Sequence, residues 1–204
     1  MAKKDQKVYL YGASGHAKVV LDMARLNHVQ VPCLIDDNAD LDALEGLPVL
    51  HSSDGLSPVI VTIGDCKIRK RIVEKLGCRE FVSLIHPSSV VAESVRVGTG
   101  TVIMAGTIMN SLTSVGNHCI INTGASIDHE CIIHDFVHIA PHCTLCGEVE
   151  VGEGTWVGAG TIVIQGIHIG KDCYIGAGSV VVKDIPDGSF CYGNPARVVR
   201  KNVQ

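Results

Sequence analysis

Cut into sixes from Val91 to Pro186, the chain reads VAESVR VGTGTV IMAGTI MNSLTS VGNHCI INTGAS IDHECI IHDFVH IAPHCT LCGEVE VGEGTW VGAGTI VIQGIH IGKDCY IGAGSV VVKDIP. Every first position is Val, Ile, Leu or Met. The fifth is mostly small or β-branched: Thr101, Thr107, Thr113, Cys119, Ala125, Cys131, Cys143, Thr155, Thr161, Cys173 and Ser179. A unit of six residues buries no face on its own, so a register held this long requires the units to stack coil on coil, as in a solenoid.

The period is that of the hexapeptide-repeat left-handed parallel β-helix. Three sixes make one triangular coil, the first residue fills the core, and Gly98, Gly116, Gly152, Gly158, Gly170 and Gly176 take tight corners where a Cβ would be costly. At roughly 4.8 Å between strands, five coils and a fraction make a prism about 25 Å tall. The fold class that follows is mixed: a small parallel α/β domain of the Rossmann kind, then an all-β left-handed parallel helix.

The α/β part is read from the residues before the repeat. VYLYG (8–12) is a short buried strand ending in the glycine-rich turn Ala13, Ser14, Gly15, His16, and AKVVLDMARLNH carries Val19, Val20, Met23, Ala24 and Leu26 at helical spacing. VPCLIDD is a second strand ending at Asp36 and Asp37. PVIVTIG is a third, ending at Gly64, and CKIRKRIVEKLG is a helix closed by Gly77. The domain plan is 1–86 for this unit, 87–186 for the solenoid and 187–204 for a tail that caps its open end.

Ligands of such sheets sit at the carboxyl ends of the strands. Here those ends carry Gly12 to His16, Asp36 with Asp37, and Gly64 with Asp65. GASGHA lacks the full dinucleotide spacing and the domain is small, so a single nucleotide or nucleotide-sugar fits better, its phosphate at the helix N-terminus. Turn residues that merely need glycine or an Asx turn are the plainer reading. Lys67, Arg69, Lys70 and Arg71 read in part as a solvated helix face.

In the solenoid the irregular sixes carry the chemistry. IDHECI, IHDFVH and IAPHCT bring His129, Glu130, His134, His138 and His142 into 14 residues. An imidazole is the natural general base near neutral pH, and a carboxylate beside it sets its tautomer. For Glu130 to reach His129 the corner itself must turn it there, because neighbours on a flat strand face apart. Residues 18 apart share a column, so Ser111 and Gly147 flank His129, and Gly147 leaves room for a ligand beside the ring. Trp156 and Tyr174 share another column. The CxxC pair Cys143 and Cys146 has no second pair to complete a metal site, so no bound metal is expected.

The net charge of −4, with both signs interspersed, excludes a broad basic field for nucleic acid. No apolar run reaches the roughly 18 residues of a membrane span, and no cleavable leader stands at the start, so a cytoplasmic protein with no membrane partner is expected.

GASGH, LIDD and IGDCKIRKR, followed by NTGASIDHECII, DFVHIAP and VVVKDIPDGSFCYGNPAR, resemble the bacterial nucleotide-4-aminosugar N-acetyltransferases and the related sialic acid O-acetyltransferases. That resemblance covers essentially the whole chain. It implies acetyl transfer from acetyl-coenzyme A (acetyl-CoA) to the 4-amino group of a nucleotide-linked 4-amino-4,6-dideoxysugar, UDP-linked by preference. His129 is implied as general base and Glu130 as the carboxylate that orients it. Gly12, Ala13, Ser14, Gly15 and His16 are implied around the acceptor phosphates, and Asp36, Asp37, Gly64 and Asp65 at base and ribose. His138 would lie near the thioester or pantetheine arm, with Gly147, Gly158, Ala159, Gly176 and Ala177 along the coenzyme groove. Members are homotrimers with active sites between subunits. The usual Asn after Gly64 is Asp65 here. An O-acetyltransferase for sialic acid or serine, a zinc-dependent hydratase and a non-catalytic nucleotide-binding protein are the other classes the residues admit.

Overall fold

The computed structural model describes residues 1–201, and the side chain of Lys201 and residues 202–204 of the tail lie outside the described part. The N-terminal unit contains strand β1 (Tyr9–Tyr11), helix α1 (Gly15–Leu26), strands β2 (Leu34–Ile35), β3 (Ala43–Leu44), β4 (Leu47–Leu50) and β5 (Val59–Val61), and helix α2 (Cys66–Leu76). The sheet order is β3-β4-β2-β1-β5, parallel except for the β3–β4 hairpin. Periodicity predicts the three central strands and both helices but not this hairpin. Its turn, Glu45 and Gly46, has φ of 49° and 78°, the left-handed pair that a two-residue hairpin needs.

On α1 the buried stripe is Ala17, Val20, Leu21, Met23 and Ala24, whereas Val19 and Leu26 of the expected stripe face outward. Helix α2 is capped at its start by Asp65, whose carboxylate accepts from Ile68 N at 2.8 Å, and is closed by Gly77 at φ 61°.

The solenoid begins at Leu84–Ile85, which already pairs with Val102–Ile103. Its three parallel faces are named here by one residue each. The His138 face holds Leu84–Ile85, Val102–Ile103, Ile120–Ile121, His138–Ile139, Trp156–Val157 and Tyr174–Ile175, and the tail adds two strands to it. The Ser126 face runs from Val90–Val91 to Val180–Val181, and the Glu150 face from Arg96–Val97 to His168–Ile169. First-position residues from Ile103 to Val181 point inward and are buried as expected. Each such side chain contributes about 1.5–3 kcal/mol by leaving water.

The fifth position has a second reason for its composition. Thr101 Oγ1 donates to Gly116 O at 2.8 Å, Thr155 Oγ1 to Gly170 O at 2.7 Å, Cys131 Sγ to Cys146 O at 3.2 Å and Cys143 Sγ to Gly158 O at 3.1 Å. Each hydroxyl or thiol thus satisfies a corner carbonyl 15 residues on, which an aliphatic side chain would leave without it.

Two kinds of glycine build the corners. At the second position a Cβ on Gly152 would lie 2.5 Å from the backbone of Gly170, so close stacking of coils excludes a side chain there. At the fourth position the backbone is left-handed, as at Gly100, Gly124 and Gly154. The same conformation is imposed on Leu112, His118, Glu130, Phe136, His142, Glu148 and Asp172, with φ between 51° and 64°. That costs a non-glycine residue roughly 1–2 kcal/mol.

The tail strands Ser189–Gly193 and Ala196–Lys201 form an antiparallel hairpin paired to Tyr174–Ile175, covering the exposed strand edge. The two units meet through Arg69, which is 1% exposed. This corrects the solvated-face reading for that residue. Its guanidinium donates to Ile63 O and Gly64 O in its own unit and to His118 O and Phe136 O across the seam, at 2.7–2.9 Å.

Candidate active site

His129 sits at the corner between the Ser126 and Glu150 faces. Because Glu130 has φ 59°, the chain turns back on itself and its carboxylate reaches the neighbouring ring, with Nδ1 to Oε2 at 3.0 Å. A carboxylate only accepts, so Nδ1 carries the hydrogen and Nε2 presents its lone pair. The ring lies over Gly147, where an added Cβ would meet Cε1 at 2.5 Å and Nε2 at 2.6 Å. The glycine therefore makes space for the imidazole itself. A cleft of about 410 Å³ opens here, lined by Asp128, His129, Cys146, Gly147, Glu148 and Gln165. Gly147→Ala is expected to push the ring aside, lowering kcat about 10- to 100-fold with little change in Tm. Steady-state kinetics beside thermal unfolding will read the two separately.

A second group of candidates gathers at the seam between the units. His138 is 4% exposed, and its Nδ1 donates to Gly64 O at 3.0 Å while Nε2 accepts from Asn122 Nδ2 at 3.1 Å. Burial, helped by the nearby Arg69 charge, lowers its pKa to about 3, so the ring is neutral. His16, in the first turn of α1, lies 6.5 Å from it ring to ring. Burial and then Arg69 lower the His16 pKa to about 4, and its Nε2 is buried without a hydrogen-bond partner. The turn Gly12 to His16, the Gly64–Asp65 segment and His138 thus meet in one place. Asp36 is spent on holding this turn, accepting from Ala13 N at 2.7 Å and from Asn38 N at 2.9 Å. Asp37 instead accepts from Tyr11 Oη at 2.7 Å and Lys75 Nζ at 2.9 Å, which hold its carboxyl below its usual range.

Below His138 the column continues through Trp156, 4.1 Å from it between ring centres, and Tyr174, stacked on Trp156 at 6.2 Å. Gly158–Ala159 and Gly176–Ala177 form adjacent rungs of the corner between the His138 and Ser126 faces, a strip with no side chain larger than a methyl. His134, His142 and His168 stand apart from both groups: His142 lies over Gly124, and His134 and His168 flank Glu150 at 2.7 and 3.3 Å. Among the described residues no group of three or more His, Cys, Asp or Glu side chains is arranged to hold a metal ion, and no helix is long and apolar enough to cross a membrane.

Comparison with known proteins finds two family models in the chain. Residues 7–76 match the model described as PglD N-terminal domain, and 148–183 that of the bacterial transferase hexapeptide, six repeats. A histidine-to-asparagine mutant of perosamine N-acetyltransferase from Caulobacter crescentus, in complex with CoA and GDP-perosamine, is 37% identical. It superposes with a TM-score of 0.91 over 98% of this chain and 100% of that one. The chain belongs to the nucleotide-sugar N-acetyltransferases of the hexapeptide-repeat class. Another member of these acetyltransferases, the acetyltransferase domain of PglB from Neisseria gonorrhoeae in complex with acetyl coenzyme A, is 33% identical. Its TM-score is 0.89, over 96% of this chain and 100% of that one. UDP-N-acetylbacillosamine N-acetyltransferase of Bacillus subtilis is 36% identical over 114 residues, 49% of this chain, and the match spans only 52% of that relative's own length.

The sequence reading gave no role to three residues that the geometry singles out. Asn122 completes the hydrogen bonding of His138, Arg69 joins the units, and Asp128 accepts from His129 N at 2.9 Å. Asn122 and Asp128 both occupy second positions of their sixes, a place that also takes Met104, Asn110, Ala140 and Cys146 in the coils before and after, so composition alone did not single them out.

Proposed function

We propose that this chain transfers the acetyl group of acetyl-CoA to the 4-amino group of a nucleotide-linked 4-amino-4,6-dideoxysugar, with His129 as general base. The observation that carries this is the His129–Glu130 pair at 3.0 Å, its Nε2 edge open over Gly147 in a cleft. The amine nitrogen attacks the thioester carbonyl carbon, and Nε2 takes the proton it sheds. The Glu130 carboxylate offsets the imidazolium charge as it forms. The C–S bond then breaks and coenzyme A leaves as the thiolate.

Three sets of residues stand on different parts of one prism. His129 and Glu130 occupy one corner, the Gly158–Ala177 strip a second, and the Gly12–His16 turn meets His138 beside the third, where Arg69 docks. That spacing supports a site completed by neighbouring copies of a homotrimer, with acetyl-CoA along the small-residue strip of one copy and His129 from another. The Ser126 face is suited to such packing, since Val90, Ile108 and Ile162 expose apolar side chains along it.

The solved relative that holds GDP-perosamine argues for testing GDP-linked acceptors ahead of the UDP-linked ones that the sequence suggested. Thiol release from acetyl-CoA, measured with GDP-, UDP- and dTDP-linked 4-amino-4,6-dideoxysugars and with sialic acid and serine, decides the matter. Turnover is expected with at least one nucleotide-linked amine. Silence with all three and turnover of sialic acid or serine would replace this reading with O-acetylation.

A further inference from the structure

The peptide groups on either side of His129 are tied down on three sides. Glu130 N donates to Ser111 O on the preceding coil, and Glu148 N on the following coil donates to His129 O, both at 2.9 Å. These are backbone ties that any solenoid corner makes. The third runs through a side chain: Asp128 Oδ1 accepts from His129 N at 2.9 Å and, at the same distance, from Asn110 Nδ2, 18 residues earlier on the same corner. A carboxylate bonded to the next residue's N–H fixes the peptide plane between the two, and with the backbone ties holding the plane that follows, the direction in which the His129 Cα–Cβ bond leaves the corner is set.

A similar one-residue tie occurs at the corner just before it in the chain, where Asn122 Oδ1 accepts from Thr123 N at 2.8 Å. There the acceptor is a neutral amide. At Asp128 it is a charge anchored to a second coil, and it lines the same cleft as the imidazole. The charged and titratable groups facing His129 are then Glu130 on its own corner, Asp128 before it, and Glu148 with Cys146 on the following coil. On the preceding coil the corresponding corner residues, Asn110, Ser111 and Leu112, are neutral.

We infer that Asn110 and Asp128 are positioning residues for His129, holding the ring so that Nδ1 stays on Glu130 while Nε2 stays over Gly147. The inference rests on the reading of His129 as the base. Two properties follow. Orientation depends on the hydrogen bond, which an amide at 128 can still accept. Basicity depends on the charge, which an amide removes.

The test is the pH profile of kcat and the KM of both substrates for Asp128→Ala, Asp128→Asn and Asn110→Ala, with His129→Ala run in parallel and Tm measured for each. Asp128→Ala is expected to lower kcat about 10- to 100-fold with both KM values within about twofold and Tm nearly unchanged. Asn110→Ala should give a smaller loss of the same kind. Asp128→Asn should recover most of the plateau kcat and move the acid limb of the profile to lower pH, because the imidazolium has lost a neighbouring negative charge. Wild-type kcat and pH profile in Asp128→Ala would overturn the positioning role, as would a loss confined to KM or one matched by a collapse in Tm. If His129→Ala remains active, the base assignment itself fails, whatever the Asp128 variants do. If His129→Ala is inactive and Asp128→Ala is normal, only the positioning role falls.

Discussion

Replacing His129 by asparagine is expected to lower kcat by about 10²- to 10⁴-fold, the usual worth of a positioned general base, while acetyl-CoA and acceptor still bind. Asparagine keeps a polar group of similar reach but has no lone pair basic enough to accept the amine proton. The binding contacts proposed for the small-residue strip and the N-terminal unit do not involve the ring, so binding should survive. Thiol release at saturating substrate, with calorimetric titration of each ligand, reads the two quantities separately. Glu130→Gln should cost less, because Nδ1 keeps a hydrogen-bond acceptor at 3.0 Å and only the charge is lost. A His129→Asn enzyme within tenfold of wild type would remove His129 from the chemistry and leave the cleft over Gly147 without a base.

The second large effect concerns Arg69. Its guanidinium is buried, and among the described residues it is met by backbone carbonyls rather than by a carboxylate. Arg69→Met fills much of the same space but leaves the carbonyls of Ile63, Gly64, His118 and Phe136 without this donor. Gly64 O keeps the His138 Nδ1 donor, but each carbonyl left with no donor costs about 1–3 kcal/mol, and the losses overlap. A loss of at least about 3 kcal/mol in docking of the N-terminal unit is therefore expected, seen as a separate early transition in thermal unfolding and as proteolysis within residues 1–80. Arg69→Lys should recover little, since an ammonium cannot span carbonyls on both units. A single unfolding transition at the wild-type Tm in Arg69→Met would show that the apolar contacts of the seam suffice alone.

Arg69 also shows what a single sequence conceals. It sits in KIRKR among residues of its own kind, and only docking against the solenoid separates the buried guanidinium from its solvated neighbours. The solenoid was legible because its period is enforced at every coil by the inward aliphatic column. The Glu130 contact was legible as a requirement but not as a fact. Glutamate carries no local signal for left-handed backbone, and the conformation is imposed by stacking between the coils before and after. His138 shows the same limit. The resemblance implied a role near the thioester, and the structure places the ring at the seam, held on both nitrogens by Gly64 and Asn122. The β3–β4 hairpin was missed because, unlike the buried β1, β2 and β5, its residues are mostly exposed and include Pro48, so no continuous apolar run marks it.

The left-handed fourth positions have a consequence for how such a chain can change. His118 lies over Gly100, His142 over Gly124 and Asp172 over Gly154, so a side chain at this position rests in the space its glycine counterpart vacates one coil earlier. The counterpart of Glu130 one coil earlier is Leu112, itself left-handed at φ 64°. No seat is vacant there, and the carboxylate turns sideways to His129 instead. The corners thus behave as a row of sockets whose occupancy is set pairwise. Putting glycine at 112 would open a competing resting place for Glu130 without touching the cleft. Divergence at Leu112 would therefore shift the partner of His129 from one storey away, leaving every residue that lines the cleft unchanged.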